Sequence, residues 1–203
     1  MKCFLAAVFL TLCAATANAA LITYDVNRTI GDGTVTGFIE TDGTLGDLFA
    51  GNINDWSLTL TAPDPNNTGG VISGTISKSN GDSVSIIGPF NTTAVSATTT
   101  QLLYDFNFTH PQDPTGSIFM LFLGATSPNL NWCLETTLCN SDGEGSMEYI
   151  SYIDTNGNNE LLSSVNHTGE IVFATATVVP VPAAVWLFGS GLIGLVGFAR
   201  RKR

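Results

Sequence analysis

Side chains capable of covalent or acid–base chemistry are scarce in this sequence. The imidazoles are His110 and His167, and the thiols are Cys3, Cys13, Cys133 and Cys139. His110 precedes Pro111 in Thr-His-Pro-Gln-Asp, and His167 stands in Asn-His-Thr-Gly, so turn chemistry places both in loops. A histidine base needs a nucleophile or a substrate proton within hydrogen-bond reach. No nucleophile elbow supplies one, since Gly189-Ser190-Gly191 falls inside a long apolar run. Two carboxylates that cleave a glycosidic bond could be drawn from the 17 acidic residues, because pairing in space leaves no trace in sequence. A polysaccharide-active enzyme therefore stands as a third reading behind two others. No catalytic residue is assigned, and the chain reads as a non-enzyme.

For metals, Asp154-Thr155-Asn156-Gly157-Asn158-Asn159-Glu160 offers oxygen ligands at alternate positions, as calcium loops do. An EF-hand loop has its glycine sixth and its glutamate twelfth, whereas here Gly157 is fourth and Glu160 seventh. A plain Asn-Gly hairpin turn accounts for the same stretch. Calcium is the one cofactor the sequence admits, and no set of metal ligands is assigned.

The elements that must position these side chains read as strands. Leu21–Val26, Thr34–Thr41, Trp56–Ala62, Val71–Lys78, Ser83–Ile87, Gln101–Phe108, Ile118–Leu123, Met147–Ile153 and Glu170–Val178 are rich in β-branched and aromatic residues. Ser57-Leu58-Thr59-Leu60-Thr61 alternates most cleanly, the period of a strand with one face buried. Asp32-Gly33, Asp42-Gly43, Asn80-Gly81 and Asn156-Gly157 supply turns between the runs. No amphipathic helix of useful length precedes Ala183. The expected fold is all-β: a single β-sandwich of jelly-roll-like type spanning residues 20–174, with no internal repeat.

Both ends of the chain carry addresses. Lys2, an apolar run from Cys3 to Ala15 and the small-x-small pattern Ala17-Asn18-Ala19 form a secretory signal over residues 1–19, cleaved by signal peptidase after Ala19. Leu12 before Cys13 argues against lipidation at that cysteine. The other end reads Val179-Pro180-Val181-Pro182, then Ala183 to Ala199 with Ser190 as the sole polar side chain, then Arg200-Arg201-Lys202-Arg203. At 1.5 Å per residue the apolar stretch reaches roughly 25 Å, at the short end of what spans a hydrocarbon core. Clustered cations stay cytoplasmic, so residues 183–199 are expected to form a transmembrane helix, residues 200–203 a stop-transfer, and the domain to lie outside in type I orientation. Residues 175–182 then act as linker and proline motif.

Pro180-Val181-Pro182-Ala183, followed by Ala184-Val185-Trp186-Leu187-Phe188-Gly189-Ser190-Gly191 and the basic end, resembles the PEP-CTERM sorting tail, closely its Val-Pro-Leu-Pro-Ala variant. The resemblance covers about the last 25 residues. It implies export in a Gram-negative bacterium and recognition by exosortase, a membrane cysteine protease that cuts near the proline motif and releases or transfers the domain to the surface. Pro180, Val181, Pro182 and Ala183 would be the recognition stretch, and Arg200, Arg201, Lys202 and Arg203 the stop-transfer. Val181 stands where the named motif has glutamate. A softer resemblance to the start of such exported domains runs from Gly37 to Gly46 and through Asn52 to Trp56.

An exported domain meets an oxidising compartment, which makes a disulfide the favoured reading of Cys133 and Cys139. Chain entropy alone assigns so small a ring roughly 2 to 2.5 kcal/mol. Zinc would require two further ligands near them, and no Cys or His is close in sequence. Charge narrows the partners. Without Lys2 and the four terminal cations, Arg28 and Lys78 face all 17 carboxylates, a net charge near −15. Such a surface repels nucleic acid and anionic headgroups. The leading expectation is a non-catalytic surface or extracellular-matrix protein. The alternative is a module binding carbohydrate or calcium through loops and exposed aromatics such as Trp56 or Trp132, with extracellular polysaccharide as its partner.

Overall fold

The structure, a computed structural model, describes residues 20–109, 112, 119–125, 129–136, 146–153 and 159–177. Thirteen strands follow in chain order: β1 (Ile22–Ile30), β2 (Gly33–Thr41), β3 (Gly46–Asp47), β4 (Ile53–Pro63), β5 (Val71–Ser77), β6 (Ser83–Ile87) and β7 (Val95–Ala97). The remainder are β8 (Gln101–Asp105), β9 (Phe119–Leu123), β10 (Asn129–Glu135), β11 (Met147–Ile153), β12 (Asn159–Asn166) and β13 (Glu170–Ala176). They form two antiparallel sheets. The larger has eight strands in the order β3-β7-β8-β13-β1-β2-β4-β5, and the smaller has five in the order β12-β11-β10-β9-β6. Among the described residues, three single 3-10 turns are the only helical elements.

Alternation drives the layering. In β4, Trp56, Leu58, Leu60 and Ala62 are buried while Ser57, Thr59 and Thr61 face outward. The outward hydroxyls pair across to β5, Thr59 to Thr75 and Thr61 to Ser73, each at 3.0 Å. A register shift between Glu40 and Thr41 places an extra residue in β4, which lets Ile53 and Trp56 both turn inward. Two glycines are required by geometry. Gly31 opens the two-residue β1–β2 turn at φ 54°, and Gly37 in mid-strand has φ 142°, where an added Cβ would lie 2.0 Å from the Ser57 carbonyl oxygen.

The inner faces of the two sheets share one apolar core, the arrangement of a β-sandwich. Its centre is a run of rings. Trp56 of the larger sheet meets Phe122 at 5.9 Å, Phe122 stacks on Trp132 at 5.5 Å, and Trp132 meets the edge of Phe173 at 6.0 Å, back in the larger sheet. Such pairs add about 0.5–1.5 kcal/mol each beyond area burial. Trp56 and Trp132 are therefore core residues, not the exposed ligand platforms expected of them. Cys133 sits inside β10 and is buried.

Polar staples join the sheets at their margins. Asp82, buried between β5 and β6, accepts the Ser77 and Ala125 amides at 2.7 Å each. Ser163 of β12 donates to the Ile30 carbonyl at 2.6 Å and accepts the Asp32 and Gly33 amides at the β1–β2 turn.

Candidate functional site

In β1 the inward positions are Tyr24, Val26, Arg28 and Ile30, so alternation alone sends one arginine toward the core. The backbone makes room for it. Strands β1 and β13 pair at Tyr24–Ala176 and Asp25–Thr175, and past that point Arg28 lies beside β13 and donates from Nη1 to the Val172 carbonyl at 3.3 Å. From the opposite sheet, β11 turns Glu148 and Ile150 inward between Met147, Tyr149 and Ser151 on the other face.

Glu148 is 0 % exposed and saturated with donors. Its Oε1 accepts Arg28 Nε and Trp132 Nε1, each at 3.1 Å. Its Oε2 accepts Arg28 Nη2 at 2.5 Å and pairs with His167 Nε2 at 2.9 Å. His167 in turn lies against the Phe106 ring, centroids 4.8 Å apart. Burial is the largest single influence on the Glu148 carboxyl and works to raise its pKa. The hydrogen bonds from His167 and Arg28, with their charges, outweigh it and hold the carboxyl below the usual glutamate range.

Each carboxylate oxygen thus has two protein partners, and no face of the group meets solvent. A general acid or base needs a face open to the reacting atom. Glu148 has none, so the cluster can lock two sheets together but cannot shuttle a proton to a substrate. Arg28 and His167 keep 21 % and 18 % of their side chains exposed, at the rim of the same cluster.

A second feature lies on the outer face of the five-stranded sheet. A groove of about 380 Å³ runs over β9, β10, β11 and the start of β12. Phe119, Leu121, Leu123 and Ile153 give it an apolar wall. Asn131 and Ser151, both buried, give it a polar floor, and Asn159 an exposed polar rim.

No protein-family model, curated protein or solved structure matches this chain.

The residues singled out in the sequence distribute unevenly over the structure. Signal-cleavage residues Ala17 and Ala19, the sorting stretch Pro180, Val181, Pro182 and Ala183, and Arg200, Arg201, Lys202 and Arg203 lie outside the described residues. So do His110, Cys139 and Asp154 to Asn158, and with them the expected disulfide and the calcium-like loop. His167 does follow a strand as a loop residue, yet it is tied to Glu148. In the segment of softer resemblance, Asp42 accepts the Thr44 amide at 2.9 Å and the Asn52 side-chain amide at 3.0 Å, while Asn52 accepts the Phe49 amide at 2.9 Å. Those bonds, from Asn52 first and then Thr44, lower the Asp42 pKa, so this carboxylate is spent on shaping the loop.

Arg28 and Glu148 were not singled out in the sequence. The available signal was the alternation of Tyr24, Val26 and Ile30, which puts one of the domain's two cations on the buried face.

Proposed function

We propose that the chain is an exported, surface-directed protein with a non-catalytic β-sandwich domain, of the jelly-roll-like class expected from its strands, and a C-terminal tail read by an exosortase. The observation that carries this reading is the tail itself: Pro180-Val181-Pro182-Ala183, an apolar stretch to Ala199 and a basic end occur together and in order. Two prolines hold the chain extended just before an apolar helix, a form that a protease can bind without unfolding it. The cations hold the end of the helix on the cytoplasmic side, with the domain outside. An acidic domain that places one of its two cations in a buried ion pair suits a solvated surface protein better than one that grips an anionic partner. Saturation of Glu148 by four protein donors supports a structural role for this carboxylate, which is 0 % exposed.

Mass spectrometry of the exported protein from a host with an active matching exosortase tests the reading. The expected mature form begins at Ala20 and lacks Arg200 to Arg203, and Pro180→Ala with Pro182→Ala blocks processing while leaving insertion intact. An intact basic end in that host would replace sorting with plain membrane anchoring.

A further inference from the structure

We propose that the groove on the outer face of the five-stranded sheet binds a neutral saccharide, an inference independent of how the tail is processed. The lining sets the chemistry. Its apolar side chains, Phe119, Leu121 and Leu123, stand in a row on β9; Asn131 of β10 faces Leu123, and Ser151 and Tyr149 follow one strand further on, in β11, so one wall is apolar and the floor is polar. Among the described residues none that lines it is charged, and Glu135, which faces Phe119 from β10, is 1 % exposed beyond its end. Among those lining residues a charged ligand would find no counterion, and an anionic one would also meet the field of a domain near −15.

Ser151 separates a sugar from a purely apolar ligand. Its residue is 1 % exposed, and its Oγ has no hydrogen-bond partner. A buried hydroxyl left unpaired is costly, and such atoms call for an explanation. An acyl chain would leave it unpaired. A hydroxyl-bearing ligand reached by a turn of the serine about its single side-chain torsion would satisfy it. Asn131 is half committed, its Oδ1 accepting the Gly124 amide at 3.3 Å, and its amide nitrogen remains a donor site. Asn159 at the exposed rim adds a donor and an acceptor, the pairing that a sugar hydroxyl, itself both, matches. The volume falls within the range of small-molecule pockets. Pyranose rings carry a C–H face and a hydroxyl edge, which fit the apolar wall and the polar floor respectively.

Isothermal titration of the full chain in phospholipid nanodiscs, against cellobiose, maltose, laminaribiose and diacetylchitobiose at millimolar concentration, tests this. At least one should bind, with digalacturonate weaker than its neutral counterparts. Ser151→Ala removes an unpaired hydroxyl, so it should leave the melting temperature unchanged or higher while weakening the sugar about three- to ten-fold. Asn159→Ala, at an exposed rim, should weaken it similarly. The proposal is overturned if no neutral disaccharide binds, or if binding survives both substitutions unchanged. Binding of the apolar probe anilinonaphthalene sulfonate without any sugar binding overturns it equally, by making the groove an apolar site.

Discussion

Arg28 and Glu148 stand 120 positions apart in the chain and meet face to face between the two sheets, Nε to Oε1 at 3.1 Å and Nη2 to Oε2 at 2.5 Å. A fully buried carboxylate is tolerable only with such partners, and removing one leaves the other's charge stranded. Arg28→Ala should therefore destabilise the domain by about 3 kcal/mol or more. The double variant Arg28→Met, Glu148→Leu should be less damaging than the single Arg28→Ala. Urea unfolding of the wild type, Arg28→Met, Glu148→Leu and the double variant, with Arg28→Ala beside them, checks both statements, and additive effects of the two sites would remove the pair from the account.

Acid sensitivity follows from the same carboxyl. Because its folded pKa lies below the unfolded one, near 4.3, the unfolded state takes up the proton first. The contribution of Glu148 is complete above that unfolded value and is lost as pH falls through the lower folded value. Asp42 acts with the same sign, more weakly because it is near the surface. Glu148→Gln should thus flatten the acid limb of the stability profile, measured as the urea midpoint from neutral pH downward. A variant with the wild-type slope would show that other carboxylates set it.

Gly37 is a backbone requirement. An alanine there would need φ near 142° and would press its Cβ into the Ser57 carbonyl, so Gly37→Ala should cost on the order of 1–3 kcal/mol from strain alone, with the clash in addition. Thermal unfolding reads it directly. Gly46→Ala, where an added Cβ meets nothing within 4 Å but φ is 84°, isolates the strain without the clash and should cost less.

Under the proposed export, the mature protein should contain no reactive thiol. Alkylation under denaturing, non-reducing conditions followed by mass spectrometry should leave Cys133 and Cys139 unmodified, and reduction should expose both. Modification of both before reduction would dismiss the pairing.

Strands whose outward face is hydroxylic and solvated were legible, β4 above all, because polarity and burial alternate together there. Strands β10 and β12 were not. In β10 both faces are buried, so Asn131, Cys133 and Glu135 break the expected contrast between polar and apolar positions. In β12 a bulge opposite Ile150 and Ser151 shifts the period within Leu161-Leu162-Ser163, and the alternation dissolves. Turn dipeptides mark where a strand ends but not which sheet receives the next one. The order of two hairpin runs, β1-β2-β4-β5 and β9 to β12, was thus beyond reach of composition and spacing. Glu148 had nothing to distinguish it from 16 other acids until long-range pairing brought Arg28, Trp132 and His167 to it. The aromatics marked as ligand platforms failed for the opposite reason: a tryptophan has the same letter in a core and on a surface.

Strand β13, the last among the described residues, lies between β8 and β1 in the middle of the larger sheet. Without it that sheet is two separate ribbons, β3-β7-β8 and β1-β2-β4-β5, with no ladder between them. A chain threaded through a membrane from its N-terminus delivers this keystone last, so closure of the larger sheet must wait until residue 176 has crossed. Under the proposed export, the domain would travel as an incomplete fold and become whole only once nearly all of it is on the far side. Long-range strand pairing of this kind is slow to form, and under the proposed export the delay would coincide with the interval in which a translocating chain must stay unfolded.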